Sequence, residues 1–522
     1  MKYAKLFNRF QTPQSAPIPG SNQVRNAAGG FVWTLDRWAV LDRFLILGSE
    51  SGTYYASPVV LTQENAANVV ALIQEHGEKV VLRICEVSLE GRAPRNDPAI
   101  FALALCASLG NDQTRAAALQ ALPYVCRIGT HLFQFAEICN GLRGWGRGLR
   151  RAIGTWYNAK PIADLEYQAI KYKQREGWSH ADLLRLAHPV PASPSHGALY
   201  KWIVDGEQTE PLPRIEAMAR LAKAADANEA AEIVRMARLP REAVPTEWLT
   251  DAAVWEALLE QMPMMAMIRN LATMTRVGLL TPGSEATRMV LAELGSANRI
   301  RKARIHPMAI LLAQRTYAAG QGHRGSGTWA PVPAVVDALD QSFATAFDNV
   351  EPTGKRYLLG VDVSGSMGMP VNGSPITACE IATAMAMITV GTETNVTPMA
   401  FADEFRQLPL SRRMRLDDAL RHTRDQNFGR TDCSLPMQYA MKNWLPVDVF
   451  VVYTDNETWF GRIHPAQALV QYREAMGIDA KLIVVGVTAT ACTIADPNDR
   501  GMLDVVGFDT NVPTVMREFA IA

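Results

Sequence analysis

The sequence lacks the features that mark membrane, secreted and zinc-binding proteins. No run of 18 apolar residues occurs in its 522 residues, which argues against a transmembrane helix. Residues 1–20 contain no apolar stretch typical of a signal peptide, and Pro13, Pro17 and Pro19 predict an irregular arm instead. The seven cysteines include no Cys-x-x-Cys pair, which disfavours a structural zinc site and predicts reduced thiols in the cytoplasm.

The chain also lacks net charge, because 52 basic residues balance 52 acidic ones. Attraction to nucleic acid must therefore come from local patches rather than from the whole molecule. The length itself exceeds what one hydrophobic core supports, since cores stop growing near ~250–300 residues. We therefore expect at least two domains, which the sequence places at residues 1–350 and 355–522.

The first part of the chain, from about residue 30 to 345, has the pattern of consecutive helices. Apolar residues recur at helical spacing, Gly, Pro or Asn separates the segments, and alternation of β-branched residues is scarce. Clear examples are residues 66–75, 98–108, 113–126, 130–140, 213–224, 254–262 and 335–347. Short amphipathic helix pairs without strands predict stacked α-helical repeats of the HEAT or armadillo kind.

The pattern changes after residues 351–354 to strands and helices in alternation. Continuous apolar runs such as residues 449–452 and 482–485 are typical of parallel strands covered on both faces. The predicted strands are 357–362, 395–401, 447–454, 481–488 and 505–507, and the predicted helices are 377–390, 416–423, 433–444, 465–476 and 513–519. This order predicts a doubly wound α/β domain, whose ligands bind at the carboxyl ends of the strands.

A short motif follows the first of these strands. Asp362, Ser364 and Ser366 form an Asp-x-Ser-x-Ser pattern, which places one carboxylate and two hydroxyls on a single turn. Such hard oxygen ligands are those that a small divalent cation, Mg²⁺ above all, prefers. Thr431 precedes a predicted helix and Asp455 follows a predicted strand, so we expect all five side chains to converge at one edge of the sheet. The sequence thus predicts a divalent metal site.

Two other interpretations of these residues stay open. The serines can cap the following turn and Asp455 can cap a helix without any metal. Hydrolysis at a metal would need a general base beside a bound water, and Asp432 and Glu457 are the nearest candidates in the sequence. The sequence identifies a partner for neither. A binding role is therefore favoured over a catalytic one.

Two segments carry local positive charge. Residues 143–176 contain eight basic and three acidic residues, with six Trp or Tyr residues in and just after the segment. Residues 294–336 contain six basic residues and no acidic one. Basic side chains neutralise phosphates and aromatic rings stack on exposed bases, so both segments are candidates for binding RNA. The alternative is that the aromatic residues are helix core and the charges a solvated face.

Residues 171–188, KYKQREGWSHADLLRLAH, resemble the signature of the Ro ribonucleoprotein family, the TROVE-domain proteins. Similarity continues through VRNAAGGF at residues 24–31, GRAPR at 91–95, VPTEWL at 244–249 and IHP at 305–307. The later pattern of Asp-x-Ser-x-Ser, Thr and Asp is similar to the metal-ion-dependent adhesion site of von Willebrand factor A domains. The resemblance covers nearly the whole chain, and bacterial members of the family are similar to it in size.

The resemblance implies a fold and a function. The fold is an α-helical ring of HEAT-like repeats closed by a von Willebrand factor A domain. Such proteins bind small noncoding Y RNAs on the outer surface of the ring and take single-stranded 3′ ends of misfolded RNAs through its central hole. Bacterial members associate with a Y-like RNA and a 3′-to-5′ exoribonuclease. We expect neither a membrane nor DNA as a partner.

Three residues match family positions implicated in RNA contact, namely Lys171, Arg175 and His188. Lys171 and Arg175 are four residues apart, which on a helix would place both on one face along one run of phosphates. His180 is a weaker candidate, because a histidine in this position is more often a packing or capping residue. His188 ranks above it only through the resemblance.

Three functions compete at this stage. The first is a noncatalytic RNA-binding scaffold. The second is an adaptor whose metal site captures an acidic residue of a partner protein. The third is a metal-dependent phosphohydrolase, which the lack of clustered histidines or paired carboxylates disfavours. The first is our prediction.

Overall fold

The computed structural model describes residues 11–48, 58–175, 177–303, 305–322, 327–347, 350–371, 375–412, 414–424 and 429–522. Helices fill the first part of the chain, as the apolar spacing predicts. They are α1 (Arg37–Leu47), α2 (Pro58–Glu90), α3 (Asp97–Leu109), α4 (Asp112–Val125), α5 (Gly129–Arg143), α6 (Arg147–Asn158), α7 (Ile162–Lys171), α8 (His180–Ala187), α9 (Pro194–Asp205), α10 (Pro213–Leu221), α11 (Ala227–Ala237), α12 (Ala252–Leu259), α13 (Met264–Arg276), α14 (Glu285–Leu294), α15 (Ala297–Lys302), α16 (Pro307–Ala318) and α17 (Pro333–Thr345).

Local chemistry sets where these helices begin and end. Asn111 and Ser193 accept hydrogen bonds from backbone N–H groups in the first turns of α4 and α9. Gly206 ends α9 in the left-handed conformation that glycine adopts without strain. Helix α2 is longer than residues 66–75, since the chain bends at His76 (φ −143°) and then continues as a helix to Glu90.

The helices pack on their neighbours in the chain. Helix α2 lies against α3 and α4, α3 against α5, and α11 against α12. One core of buried residues runs through α1–α10, and a second runs from α10 through α17 into one face of the sheet in the following domain. None of the described helices combines the length and apolarity needed to cross a lipid bilayer.

The second part of the chain is a six-stranded sheet between two layers of helices. Its strands are β5 (Arg356–Asp362), β6 (Asn395–Phe401), β7 (Phe405–Gln407), β8 (Val449–Thr454), β9 (Lys481–Gly486) and β11 (Met502–Val506), in the order β11-β9-β8-β5-β6-β7. Its helices are α18 (Ala378–Thr392), α19 (Leu416–Arg424), α20 (Leu435–Lys442), α21 (Pro465–Met476) and α22 (Val512–Ile521). All neighbouring strands are parallel except β7, which pairs with β6 in the antiparallel sense.

Strand β5 is the centre of this sheet. Tyr357 and Leu359 belong to the core shared with the helical part, whereas Leu358 belongs to a separate core on the other face. Gly360 lets α20 approach closely, because a Cβ atom there would lie 2.9 Å from the Pro436 ring. The chain leaves β5 toward β6 and later returns to its other side through β8, so β5 stands at the topological switch point. The predicted doubly wound α/β fold is confirmed.

The remaining short strands were not predicted. Strand β1 (Val24–Arg25) pairs with β2 (Phe31–Thr34), and β2 pairs in turn with β10 (Cys492–Thr493) of the second domain. A separate hairpin joins β3 (Gln174–Arg175) to β4 (Trp178–Ser179). Strands of two to four residues are too short for an alternation of apolar and polar residues to identify them. Residues 11–34, which we call the N-terminal strap, therefore pack against the α/β domain rather than extend as an arm.

The helical layer begins and ends against the α/β domain. At its start, the buried Arg43 of α1 donates to both carboxylate oxygens of Asp504 at 2.7 and 2.8 Å. At its end, Arg315 of α16 pairs with Glu380 of α18 at 2.6 Å, and Asp340 of α17 accepts a hydrogen bond from the backbone of α19 at 2.8 Å. The two ends of the helical run thus meet the same domain, which closes the predicted ring of HEAT-like repeats.

Candidate functional site

Four of the predicted metal-binding residues, Asp362, Ser364, Ser366 and Asp455, lie at the carboxyl ends of β5 and β8. The fifth, Thr431, is tied to the loop after β8 because its carbonyl oxygen accepts from the Trp459 and Phe460 backbone N–H groups. Strands β5 and β8 are parallel neighbours, with Val361 opposite Tyr453, so Asp362 ends β5 close to where Asp455 follows β8. A 3₁₀ turn at Gly365–Gly368 carries Ser366. The topology alone therefore brings together segments that are about ninety residues apart in the sequence.

Hydrogen bonds fold the Asp-x-Ser-x-Ser loop inward. Asp362 accepts from the Ser364 backbone N–H through Oδ1 at 2.9 Å and from the Thr454 hydroxyl through Oδ2 at 2.7 Å. The hydroxyls of Ser364 and Ser366 lie 3.1 Å apart. Ser364 stands at the start of the 3₁₀ turn, but its side chain makes no capping hydrogen bond there. Helix capping therefore does not explain why a residue with a hydroxyl group occupies position 364.

All five candidate ligands are buried. Asp362, Ser364, Ser366, Thr431 and Asp455 are between 0 and 4% exposed. Gly365, between the two serines, is exposed, so the loop that carries these buried hydroxyls borders solvent.

The two carboxyl groups are unstable as a pair of buried charges. Burial raises the pKa of Asp362, and the neighbouring Asp455 raises it further; burial also raises the pKa of Asp455. The Oδ2 atom of Asp455 is buried without a hydrogen-bond partner among the described residues. Burial of a carboxylate oxygen without a partner destabilises the folded protein, and a bound cation offsets that loss of stability. Two carboxylates and three hydroxyls are also the hard oxygen donors that Mg²⁺ prefers, so these residues fit the ion.

The two candidate general bases are occupied by structural contacts. Asp432 accepts from the Ser434 hydroxyl at 2.5 Å and from Gln14 Nε2 at 2.7 Å. Glu457 accepts from the Ala28 backbone N–H at 2.9 Å, while burial and the nearby Asp455 raise its pKa to about 8. The part of the chain that the structure describes contains no group of three His, Cys, Asp or Glu side chains arranged to hold a metal. These contacts favour a binding site over a hydrolytic one.

The N-terminal strap holds the loops around the metal-site residues, which the sequence did not predict. Gln14 is fully buried, and its backbone N–H donates to Gly461 O at 2.8 Å. Asn26 Nδ2 donates to Thr458 O at 2.8 Å. A Cβ atom on Gly30 would lie 1.9 Å from that same carbonyl oxygen, so only glycine fits there. A lone Gln and Asn in an irregular segment carry no sequence signal for such a role.

The three candidate RNA-binding residues lie on the two sides of α8, with Lys171 and Arg175 before its first residue and His188 directly after its last. Lys171 is the last residue of α7, Arg175 is exposed in β3, and His188 ends α8 in a left-handed conformation (φ 45°) with its side chain exposed. Helix α8 has eight residues and is about 12 Å long. His188 thus lies about that distance from the hairpin, so the structure spaces the candidates along the surface rather than at one point.

The prediction that Lys171 and Arg175 share a helix face is wrong. Helix α7 stops at Lys171, and Arg175 belongs to the β3–β4 hairpin, whose turn contains Gly177 at φ 78°. The cause is the next helix, since Ser179 and Asp182 form a capping box that fixes the start of α8 at residue 180. The chain must leave the helical conformation before it, which the isolated i, i+4 spacing does not reveal.

The aromatic residues of this region divide between core and surface. Trp156 and Tyr157 are fully buried, as the core interpretation requires. The Lys171 ammonium lies over the rings of Tyr167 and Tyr172, at 5.2 and 5.5 Å from their centroids. These contacts hold Lys171 at the end of α7 with its charge retained.

His180 is a packing residue, as expected. It is 3% exposed, its Nδ1 lies 2.7 Å from the Tyr157 hydroxyl, and its ring packs edge-on against Phe133. Burial lowers its pKa to about 4. The residue is therefore a neutral part of the core.

Additional basic residues extend the surface around the hairpin. Trp145 and Trp178 are in contact, with ring centroids 5.4 Å apart, which joins the loop before α6 to the hairpin. Exposed arginines lie on both sides of that loop and along α6, namely Arg143, Arg147, Arg150 and Arg151. Together with Lys171 and Arg175 they form what we call the basic surface.

Comparisons with known proteins agree with this architecture. Residues 24–211 and 214–316 match the TROVE domain, and residues 356–520 match the Ro60 vWA domain. The RNA-binding protein RO60 of Deinococcus radiodurans is 43% identical over 524 residues, which cover 99% of this chain and 98% of that protein. The RNA-binding protein RO60 of Caenorhabditis elegans is 38% identical, over 98% of this chain and 92% of its own length.

A solved structure shows the same fold. The crystal structure of the Deinococcus radiodurans RO (RSR) protein superimposes with a TM-score of 0.71 at 43% identity, covering 93% of this chain and 99% of that one. The two domain matches together span most of the chain, in the same order as the helical layer and the α/β domain. This chain therefore belongs to the Ro60 family, the proteins that combine a TROVE domain with a Ro60 vWA domain.

Proposed function

We propose that this chain is the RNA-binding scaffold of a ribonucleoprotein. Its relatives from Deinococcus radiodurans and Caenorhabditis elegans carry the name of an RNA-binding protein and match nearly its whole length. Those names describe RNA-binding proteins and not enzymes, in agreement with a noncatalytic role. The coarse function, RNA binding, rests on this family membership.

The finer proposal concerns which RNA is bound and where. A small noncoding Y-like RNA binds on the outer surface of the ring, and single-stranded 3′ ends of misfolded RNAs enter the central hole for quality control or processing. A 3′-to-5′ exoribonuclease is the expected protein partner, and the cytoplasm is the expected compartment. The observation that supports the proposal is the basic surface, where exposed arginines flank Trp145 and this residue contacts Trp178 of the β3–β4 hairpin.

The basic surface has the chemistry that a folded RNA requires. Phosphate contacts from Arg and Lys supply affinity and position the nucleic acid. Arg143 and Arg147 are exposed, and among the described residues no carboxylate forms an ion pair with either. Lys171 packs against Tyr167 and Tyr172 and is also attracted by the Glu242 carboxylate. His188 adds an exposed ring at the far end of α8, where it can contact a phosphate or a base.

The metal-site residues support a second candidate function, a metal-dependent protein-binding adaptor. Asp362, Ser364, Ser366, Thr431 and Asp455 would hold Mg²⁺, and the buried Asp455 Oδ2 atom without a partner is the observation that favours it. A bound Mg²⁺ surrounded by few charged ligands would remain attractive to a carboxylate from a partner protein. The protein's own contribution is to orient the oxygen donors and to exclude water from the buried ones.

Sequencing of co-purified RNA tests the scaffold function. The wild-type chain and a Lys171→Ala, Arg175→Ala, His188→Ala variant are purified at moderate salt, together with Arg220→Ala, Lys223→Ala as a control that removes two exposed charges of the α10 region. We expect a discrete small noncoding RNA with the wild type and the control, and its loss from the triple variant. No enriched RNA in any sample would contradict the proposal.

A separate variant distinguishes the two candidate functions. Asp362→Ala removes a metal ligand but leaves the basic surface intact. We expect RNA binding to survive this change and Mg²⁺ binding, measured by calorimetry, to be lost. Loss of RNA binding in Asp362→Ala without unfolding would show that the two sites do not work separately.

A further inference from the structure

An exposed aromatic and cationic cluster lies at the rim of the metal-site loops. It consists of Arg430, Trp459 and Phe460, which we call the aromatic platform. The Arg430 guanidinium carbon is 4.7 Å from the Phe460 ring centroid and 5.8 Å from that of Trp459. Phe460 is 40% exposed and Trp459 is half-buried. An exposed phenylalanine beside an arginine is a surface suited to contact with another molecule.

The backbone ties the aromatic platform to the candidate metal ligand Thr431. Arg430 is its direct neighbour in the chain, and the backbone N–H groups of Trp459 and Phe460 both donate to Thr431 O at 3.2 Å. A molecule that contacts the platform therefore also stands beside the metal-site residues. The aromatic platform thus adjoins the loop that carries the buried Thr431.

The N-terminal strap makes this surface rigid. The hydroxyl of Thr458 bonds to Gln14 Oε1 and lies 3.3 Å from Thr431 O. On the other side of the aromatic pair, Gly461 O accepts from the Gln14 backbone. The segment that carries Trp459 and Phe460 is thus fixed at both ends, so little conformational entropy is lost when a partner binds.

The charge of the surface selects the kind of partner. No carboxylate partner is recorded for Arg430, or for the exposed Arg462, within the described parts of the chain. The acidic residues of the same loops, Asp432, Asp455 and Glu457, are buried and face inward to their own contacts. Asp403, whose carboxylate lies against Gly429 beside Arg430, is exposed as well. The surface therefore offers solvent two arginines, this one carboxylate and the Phe460 ring, with positive charge in excess.

We propose that the aromatic platform binds an acidic, partly apolar segment of a partner protein. This rests on the adaptor function proposed above: one carboxylate of the segment reaches the metal site, a second pairs with Arg430, and an apolar side chain covers Phe460. RNA is the less suitable ligand, because tracking a strand needs a series of positive charges and this surface presents two arginines. The platform thus determines which acidic partner the site accepts.

Selection of peptides from a random phage-displayed library tests this proposal with the full chain in Mg²⁺. We expect the enriched peptides to carry Asp or Glu beside an apolar residue. Arg430→Ser and Phe460→Ser should each weaken a selected synthetic peptide by about tenfold, the size expected from one desolvated ion pair or aromatic contact. Trp444→Ser is the matched control, since Trp444 is 73% exposed at the opposite end of the sheet, between α20 and β8.

Each other outcome has a defined meaning. Peptides without acidic residues, or peptides that bind both platform variants as well as the wild type, would overturn the proposal. So would platform variants that lose a single-stranded oligouridine probe while keeping the peptide. Peptide binding that resists EDTA but is still lost in the platform variants would support the platform and contradict the adaptor function. An unchanged melting temperature shows that the variants are folded.

Discussion

Asp455 is the residue on which the candidate metal site depends most directly. One of its oxygens accepts from the Glu457 backbone at 3.0 Å, and the other is buried without a recorded partner. An amide at this position keeps the shape of the side chain and removes the buried charge. Substitution of this residue therefore separates two effects on the stability of the fold. One is the destabilisation by a buried charge without metal, and the other is the stabilisation that a bound metal ion supplies.

We predict opposite effects of Asp455→Asn with and without Mg²⁺. In EDTA the variant should melt at a higher temperature than the wild type, because it no longer buries an uncompensated carboxylate. Mg²⁺ at a hundred times its Kd should stabilise the wild type by about 2.7 kcal/mol and the variant hardly at all. Differential scanning fluorimetry with and without the ion measures both effects. An equal Mg²⁺ shift in both proteins would contradict the ligand assignment.

The buried side chain of His306 makes the stability of the folded protein depend on pH. It caps α16 by accepting from the Met308 backbone at 3.2 Å, and its Nε2 lies 3.2 Å from Arg92 O. Burial lowers its pKa to about 4, against about 6.5 in the unfolded chain. Between these values the unfolded state binds more protons, so stability present above pH 6.5 is lost as the pH falls toward 4.

His306→Asn should reduce this pH dependence. Asparagine keeps an acceptor for the cap but does not titrate. Between pH 6.5 and 5 the wild type should lose about 1.6 kcal/mol more than the variant, because the slope rises from half of roughly 1.4 kcal/mol per pH unit at pH 6.5 toward that full value below it. Urea unfolding at the two pH values measures the difference. The buried carboxyl groups, whose raised pKa values act in the opposite direction, are common to both proteins and cancel in the comparison.

At the scale of elements, the long regular segments could be predicted and the short irregular ones could not. Strand β6 and helix α21 have the predicted bounds, because a continuous apolar run and an uninterrupted helical period leave no alternative. The β3–β4 hairpin forms because the capping box of α8 fixes where that helix begins, and the strap strands β1 and β2 form through tertiary contacts. The local periodicity of the sequence reveals neither cause. Asp362, Ser364, Ser366 and Asp455 follow two neighbouring parallel strands, so topology places them at one edge of the sheet, whereas tertiary contacts place the loop that carries Thr431. Their role as metal ligands stays a prediction.

The N-terminal strap is the element whose removal should disturb the metal-site loops most. Gly30→Ala places a methyl group against Thr458 O, and overpacking of this kind costs about 1–3 kcal/mol. We expect faster proteolysis at residues 11–34 and weaker Mg²⁺ binding. Gly141→Ala is the control, because a Cβ atom there meets nothing within 4 Å. Strap cleavage at the wild-type rate in Gly30→Ala would contradict this role.

At the scale of the whole molecule, the helical ring and the α/β domain are one folded unit. A single hydrophobic core continues from α10–α17 into β5, β8 and β9. The buried ion pair of Arg43 with Asp504 joins the other end of the ring to β11. The link through Arg43 is not visible in the sequence, because it joins residues 461 positions apart.

Breaking that ion pair should therefore destabilise the entire molecule. Arg43→Ala leaves Asp504 without its partner and opens space beside Gly486, which the guanidinium now fills. Loss of one member of a buried pair costs about 3–5 kcal/mol. Denaturant unfolding should show the loss, whereas Arg37→Ala, which breaks an exposed pair with Glu75, should cost under about 1 kcal/mol. Similar effects of the two changes would contradict closure through Arg43.

The salt dependence of RNA affinity tests the central claim most directly. The wild type, Lys171→Ala with Arg175→Ala, and the control Arg220→Ala with Lys223→Ala are titrated with a structured RNA that has a free single-stranded 3′ end, over a range of salt concentrations. Each lost phosphate contact flattens the slope of log K against log salt by about one unit. We predict a slope lower by up to about two units for the first variant and an unchanged slope for the control. An unchanged slope in the Lys171 and Arg175 variant would contradict the assignment of RNA binding to the basic surface.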